Sequence, residues 1–238
     1  MLGRFLEIGV HAPDIQASLA FYESLGFIQA PVGESWPHPY AVVTDGRLFL
    51  GLHARPESGA VLTFASPQLT RRIERLEALG VSFEERVLGD DVFNHASFRD
   101  PTGLRVALLE ARTFSPPPPG AVLTACGYFT EFAIPVRDVA SVRAFWEPLG
   151  FVALEEEQQP FPRTSLTSDH LNLAFYRTRA FRTPLLTFED PAMRERIARL
   201  RELGLTLTDE MPDGLDETAN AVLIAPEGSR LLLLEADQ

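Results

Sequence analysis

Apolar and polar positions follow two rhythms along the chain. From Leu6 to Val10 they alternate with a period of two, which predicts a half-buried strand with Glu7 on its inner face. Asp14 then stands where a helix N-cap is expected, before Ile15, Leu19, Tyr22 and Leu25, an apolar stripe at helical spacing. Gly26 supplies the helix stop. Three short strand-like runs follow, "FIQAPV", "YAVVTDG" and "RLFLGLHA". The same order then recurs. "AVLTFA" reads as a strand, Ser66-Pro67 as an N-cap with proline at the first helical position, and Leu69, Ile73, Leu76 and Leu79 as a buried stripe ending at Gly80. "VSFEERV", "NHASFRD" and "RVALLEA" complete the set. One strand, one helix and three strands, twice over, is the pattern βαβββ-βαβββ.

That whole pattern is itself repeated. "EIGVHAPDIQASLAFYESLGF" from Glu7 matches "EFAIPVRDVASVRAFWEPLGF" from Glu131 at one constant spacing, which pairs Glu7, Asp14, Phe21 and Leu25-Gly26-Phe27 with like residues. "LTFASP" pairs with "LTFEDP", "RLEALGV" with "RLRELGL", and "DPTGLRVALLEA" with "APEGSRLLLLEA" after one inserted residue. The chain therefore holds four modules in two homologous halves, residues 1–112 and 122–238. Residues 113–121, "TFSPPPPGA", form the linker between them. Consecutive prolines cannot continue a helix or a central strand and favour an extended spacer.

Composition narrows the function classes. The formal net charge is −12 over 238 residues, and no Lys/Arg-rich run is present, so a nucleic-acid partner is not expected. An acidic surface favours a cationic ligand over an anionic one. No apolar run approaches the roughly 18 residues that span a bilayer, and "FLEIGV" does not read as a secretory signal, so no membrane role is expected. Cys126, without a second cysteine, excludes an intrachain disulfide framework and a CxxC metal site. It is expected to be a buried structural thiol in a reducing, cytoplasmic compartment. Neither a GxSxG elbow nor GxxxxGK[ST] nor GxGxxG occurs.

"PDIQASLAFYESLGF" with "DPTGLRVALLE", and "RDVASVRAFWEPLGF" with "APEGSRLLLLE", resemble the vicinal oxygen chelate superfamily, which includes glyoxalases, bleomycin-resistance proteins and extradiol dioxygenases. The resemblance covers nearly the whole chain apart from the linker. It implies an α+β fold of two glyoxalase-like domains, each with a cup-shaped mixed sheet made by two modules. The four modules can pair within one chain or exchange across a homodimer.

In metal-using members the cup holds a divalent ion, which needs three or four donors converging at about 2.0–2.3 Å. Carried over by position, the donors fall on Glu7, Gly51, Val61 and Ala107, and in the second half on Glu131, Ala174, Leu185 and Leu232. Only the two glutamates carry a donor, and shifting the register by one residue adds none. His11 shares a face with Glu7 but lies about 13 Å along the strand. His53 lies one pleat beyond Gly51 and is close enough to swing toward Glu7. His38 and His170 fall in loop-like segments. The atypical set left for a metal is Glu7, His53 and His95.

Trp36 and Tyr40, on a proline-rich connection, are placed to stack on a planar ligand or else to close a small core. Phe161 stands in the matching stretch of the second half, and Tyr176 on the inward face beyond Ala174. The candidate ligand-binding residues are thus Glu7, His53, Trp36, Tyr40, Glu131 and Tyr176. The leading expectation is a protein that binds a hydrophobic or cationic small molecule without metal or other cofactor. Two alternatives stand beside it. One is an enzyme, either a divalent-metal lyase, isomerase or dioxygenase, or a metal-free catalyst using Glu7 and His53. The other gives one half a purely structural role.

Overall fold

The computed structural model describes residues 1–32, 36–111, 120, 122–158, 161–208, 211 and 214–236. The proline linker therefore lies outside the described residues except for Gly120. The first half runs β1 (Arg4–His11), α1 (Ile15–Ser24), β2 (Ile28–Gln29), β3 (Tyr40–Thr44), β4 (Phe49–His53), β5 (Val61–Ser66), α2 (Leu69–Ala78), β6 (Phe83–Val87), β7 (His95–Arg99) and β8 (Arg105–Glu110). The second repeats it as β9 (Tyr128–Pro135), α3 (Val139–Trp146), β10 (Val152–Ala153), β11 (Arg163–Thr167), β12 (Asn172–Tyr176), β13 (Leu185–Asp190), α4 (Met193–Glu202), β14 (Leu207–Thr208), β15 (Ala221–Ile224) and β16 (Arg230–Glu235). The expected α+β architecture of four βαβββ modules is what the chain adopts.

Each half forms one eight-stranded mixed sheet, in the orders β2-β3-β4-β1-β5-β8-β7-β6 and β10-β11-β12-β9-β13-β16-β15-β14. The modules of each half join within the chain, through antiparallel β1–β5 and β9–β13. Asp14 caps α1 as read from the sequence, and Asp138 caps α3 at the matching position, each carboxylate accepting a backbone N–H at 3.0 Å. Gly26 and Gly80 end α1 and α2 in the left-handed region, at φ 92° and 89°. The cap of α2 differs from the expectation. β5 continues through Ser66, which pairs in parallel with Glu110, so Gln68 becomes the N-cap residue and makes no side-chain bond. The Glu110 carboxylate accepts the Leu69 N–H instead, at 3.3 Å.

The helix-facing sides of both sheets share one apolar core. Leu50, Leu52, Leu62, Phe98, Phe132, Phe175, Phe188 and Leu231 belong to it, with Tyr22 and Trp146 from the helices. The two helices that open the halves cross over reciprocally. Tyr22 on α1 donates to Glu227 in the second half (2.7 Å), and Ser18 donates to the same carboxylate (2.8 Å). Trp146 on α3, at the position matching Tyr22, donates from Nε1 to Asp100 in the first half (3.0 Å). Each helix thus reaches the hairpin that closes the other half, "DPTG" or "APEGS". Burial, and then the charge of Glu227, push the Tyr22 phenol well above its ordinary range.

The sheet sides away from the helices form the two concave faces. A bulge sits at the same place in each central strand, between Phe5 and Glu7 and between Phe129 and Glu131. It places Phe5 and Ile8 in the common core while turning Glu7 into the first cup. No helix among the described residues is long and apolar enough to cross a membrane.

Candidate functional site

The first cup is built on two glycines. Gly9 and Gly51 lie side by side on β1 and β4. A Cβ at Gly51 would fall 2.5 Å from the Glu7 carboxylate and 2.7 Å from His53 Nε2. That missing side chain is the space into which Glu7 and His53 fold, and His53 Nε2 meets Glu7 Oε1 at 2.8 Å. Both residues are buried. His53 Nδ1 in turn lies 2.9 Å from Nε2 of His38. With the Glu7 carboxylate accepting the Nε2–H of His53, Nδ1 of that ring is left to accept. His38 then donates from Nε2 and keeps Nδ1 as its lone-pair nitrogen. Burial, followed by the neighbouring His53 and Arg55, holds the His38 imidazole below its usual range.

Aromatic rings fix this chain in place. Tyr40 stacks parallel to His53, with centroids 5.5 Å apart and 4° between planes, and Trp36 meets the same ring edge-on at 5.5 Å. Trp36, His38 and His53 line a cup enclosing about 550 Å³, part of it open to solvent. The opposite wall holds Arg105, whose guanidinium donates to Glu57 (2.6 Å), Glu85 (2.8 Å) and Ser97 (3.2 Å). His95 lies on that wall, 3.5 Å from Glu85.

The residues present do not fit a divalent ion. At the positions carried over from metal-using proteins, Gly51, Val61 and Ala107 offer no donor, and the room beside Gly51 is taken by the Glu7–His53 pair. Opposite Glu7 on β5 stands Thr63, while Val61 pairs with Gly9. The atypical trio is not assembled. Both nitrogens of His53 are engaged by Glu7 and His38, whereas His95 turns to Glu85 and the Phe93 carbonyl. Among the described residues no three His, Cys, Asp or Glu side chains converge as a metal site requires.

The second cup keeps the frame and loses the space. Strand register matches Glu131 to Glu7, Tyr176 to His53, Arg163 to Tyr40 and Ala174 to Gly51. Tyr176 enters the cup as its position predicts and donates to Glu131 (2.5 Å). Arg163 (3.2 Å) and Ser165 (3.1 Å) also donate to Glu131. Phe161, Phe181, Leu185, Val222, Leu232 and Leu234 pack together over this face with Ala133 and Ala174. Gly9, Gly51, Val61, Ser97 and Ala107 of the first cup are thus matched by Ala133, Ala174, Leu185, Val222 and Leu232.

Burial raises the Glu131 carboxyl above its usual range while Arg163 opposes the rise. Arg163→Met is therefore expected to cost roughly 3–5 kcal/mol at neutral pH, because the Glu131 charge stays buried without its partner. The sign with pH follows. A carboxyl whose folded pKa is raised binds its proton more tightly when folded, so the loss shrinks as pH falls through that raised value. Urea midpoints across an acid-to-neutral pH series measure it; a loss that stays the same throughout would overturn this account.

Trp36, Tyr40 and the Glu7–His53 pair meet in one place, as the sequence places them. His38 was missed. It precedes β3 in a stretch with no period, and only two residues later does the strand register begin that ties Tyr40 to His53. The Arg105–Glu57–Glu85 cluster was also missed, since it joins β8, β6 and the chain after β4.

Residues 4–108 match the family model of the Glyoxalase/Bleomycin resistance protein/Dioxygenase superfamily. The first half belongs to that superfamily. Its fold extends over the whole chain in solved structures. A crystal structure of catechol 2,3-dioxygenase aligns with a TM-score of 0.61 at 16% identity, covering 100% of this chain and 91% of that one. The E323L mutant of homoprotocatechuate 2,3-dioxygenase from Brevibacterium fuscum aligns at 0.62 and 15%, covering 99% and 72%. The 2,2',3-trihydroxybiphenyl 1,2-dioxygenase from Sphingomonas wittichii RW1 aligns at 0.61 and 15%, covering 98% and 90%. Such identities carry the two-domain fold. Comparison with curated protein sequences finds no match.

Proposed function

We propose that this superfamily member is a small-molecule-binding protein that works without metal, with one ligand cup in the first half and a structural second half. The observation that carries the reading is the exchange at Gly51. Where a metal site would be completed, the backbone has no side chain, and an imidazole bound to Glu7 fills the room. The cup that remains has an edge of aromatic rings facing a polar wall, the mix that orients a flat ligand. Formal charges on Glu57, Glu85, Arg55 and Arg105 cancel along its lining, and Glu7 adds a buried acid behind them. A planar ligand that is neutral or cationic suits that balance better than an anion. Glu131 and Tyr176 act as internal struts of the second half.

The test is a titration of planar aromatic probes, neutral and cationic, followed by Trp36 fluorescence, with metal content measured on the same sample. One probe per chain and far less than one metal ion are expected. Ala107→Leu, which installs the residue found at the matching place in the second cup, is expected to weaken binding at least tenfold. Near-stoichiometric Zn, Ni, Mn or Fe that is lost in Glu7→Ala would overturn the metal-free reading. Two probes per chain would overturn the structural role of the second half.

A further inference from the structure

The Glu7–His53–His38 chain has more order than a binding cup needs. Two hydrogen bonds, 2.8 and 2.9 Å, link a buried carboxylate through one imidazole to a second that lines the open cup. Tyr40 stacked on His53, and Trp36 against its edge, keep the middle ring from turning. This is a carboxylate that orients one imidazole, which in turn orients another, with the last ring exposed to a ligand. The second half supplies an internal contrast. It keeps the carboxylate as Glu131, but Tyr176 stands in place of His53, and Phe161, two residues before Arg163, stands in place of His38. Phe161 has no hydrogen-bonding or titratable group, so the chain ends there, in the half whose cup is filled.

We propose that the first cup is a metal-free proton-transfer site in which Nδ1 of His38 takes a proton from a carbon or oxygen of a planar ligand. This goes beyond binding and rests on the cup admitting such a ligand. In the step, a ligand C–H or O–H bond breaks and its electron pair stays with the ligand. The proton passes to His38 Nδ1, while His38 Nε2–H can move to His53 Nδ1 and His53 Nε2–H to Glu7 Oε1. In an isomerisation the proton returns to another ligand atom and restores the chain. In a base-promoted elimination the C–H electron pair forms the new π bond, the leaving oxygen departs with the pair of its broken bond, and His38 passes the proton to solvent. No oxidant or further reactant is consumed. His38 is the catalytic residue, and His53 and Glu7 are positioning residues. The charged and titratable groups around His38 are His53 on β4, Arg55 and Glu57 beyond it, and Glu7 on β1. Burial, His53 and Arg55 keep His38 neutral and able to accept a proton near pH 7, whereas the two glutamates oppose them.

The probe is 5-nitrobenzisoxazole, a planar aromatic whose C–H loses its proton to a base as the ring N–O bond breaks, giving a coloured nitrophenolate. Binding is followed by quenching of Trp36, with Trp36→Phe as the control against Trp146. The intact protein is expected to eliminate the probe about 100-fold faster than His38→Gln. Glu7→Gln should lower kcat about tenfold at unchanged KM. It should also move the pH–rate midpoint downward, since the charge that raises the His38 pKa is gone; a merely structural loss would leave the midpoint in place. Equal rates in the intact protein and His38→Gln, with the probe bound, would overturn the proposal and leave the binding reading standing. Absence of any Trp36 quench would instead count against the binding reading. Independently of any probe, nitrogen NMR should find His38 protonated at Nε2 and bare at Nδ1; the opposite tautomer sinks the proposal.

Discussion

Trp146→Ala is expected to be among the most damaging single substitutions in the chain. Trp146 is fully buried and packs edge-on against Phe151, with ring centroids 4.9 Å apart, and against Phe145 at 5.6 Å. Emptying such a site costs about 3–5 kcal/mol. The loss reaches into the other half as well. Trp146 is the side chain that donates to Asp100 Oδ2, and burial already raises the Asp100 carboxyl above its usual range. For a chain of this size each kcal/mol lowers Tm by about 2–4 °C, so a fall of roughly 10 °C is expected by calorimetry. Tyr22→Phe is the mirror-image control. It removes only a hydroxyl from the reciprocal contact and leaves Glu227, which is half-buried, free to meet water. About 1 kcal/mol is expected there. A drop below about 3 °C for Trp146→Ala would show that the halves do not depend on this crossing.

Cys126 should be almost inert to thiol reagents while the protein is folded. It is completely buried, and burial pushes its pKa from 9.0 up to about 12, with Arg196 pulling the other way. Reaction proceeds through the thiolate. At pH 8 the thiolate fraction is then about one in ten thousand, against about one in ten for an unshifted thiol, a difference of roughly a thousandfold. A raised thiol pKa means that higher pH restores reactivity only near 12, unless the chain opens first. Dithionitrobenzoate should therefore label Cys126 promptly in guanidinium and about a thousandfold more slowly without it. Rapid labelling of the native protein would contradict this burial.

The halves have diverged through side chains that the shared backbone presents at matched positions. Both keep the bulge before the glutamate, and both keep a polar group on the neighbouring parallel strand that binds it. One sheet face carries glycines and alanine where the other carries alanines and leucine. That difference, together with Phe161 and Phe181 packed over the second sheet, decides whether the concave side is a cavity or a second small core.

Much of this was legible without coordinates. The two periods of the hydrophobic pattern determined strands and helices, because a pleat repeats every two residues and a helix every 3.6. The internal repeat determined that there are four modules. Asp14 declared its helix start through chemistry that operates over three residues. Even the inward aim of Glu7 and the reach of His53 follow from position along a strand. The α2 cap was misread because Ser66 is held by a parallel partner, Glu110, distant in sequence.

What only the tertiary structure decided depends on side chains brought together from separate strands. Gly51 looks like a missing ligand in the sequence, but it is the space in which Glu7 and His53 meet. His38 sits in an aperiodic stretch, and its bond to His53 exists because β3 lies against β4 in that register. The filling of the second cup depends on Phe161 and Phe181 folding in from loops over the sheet, which no local pattern encodes. Local sequence sets the backbone through short-range sterics and hydrogen bonds, whereas the site arises from distances between strands that only packing fixes.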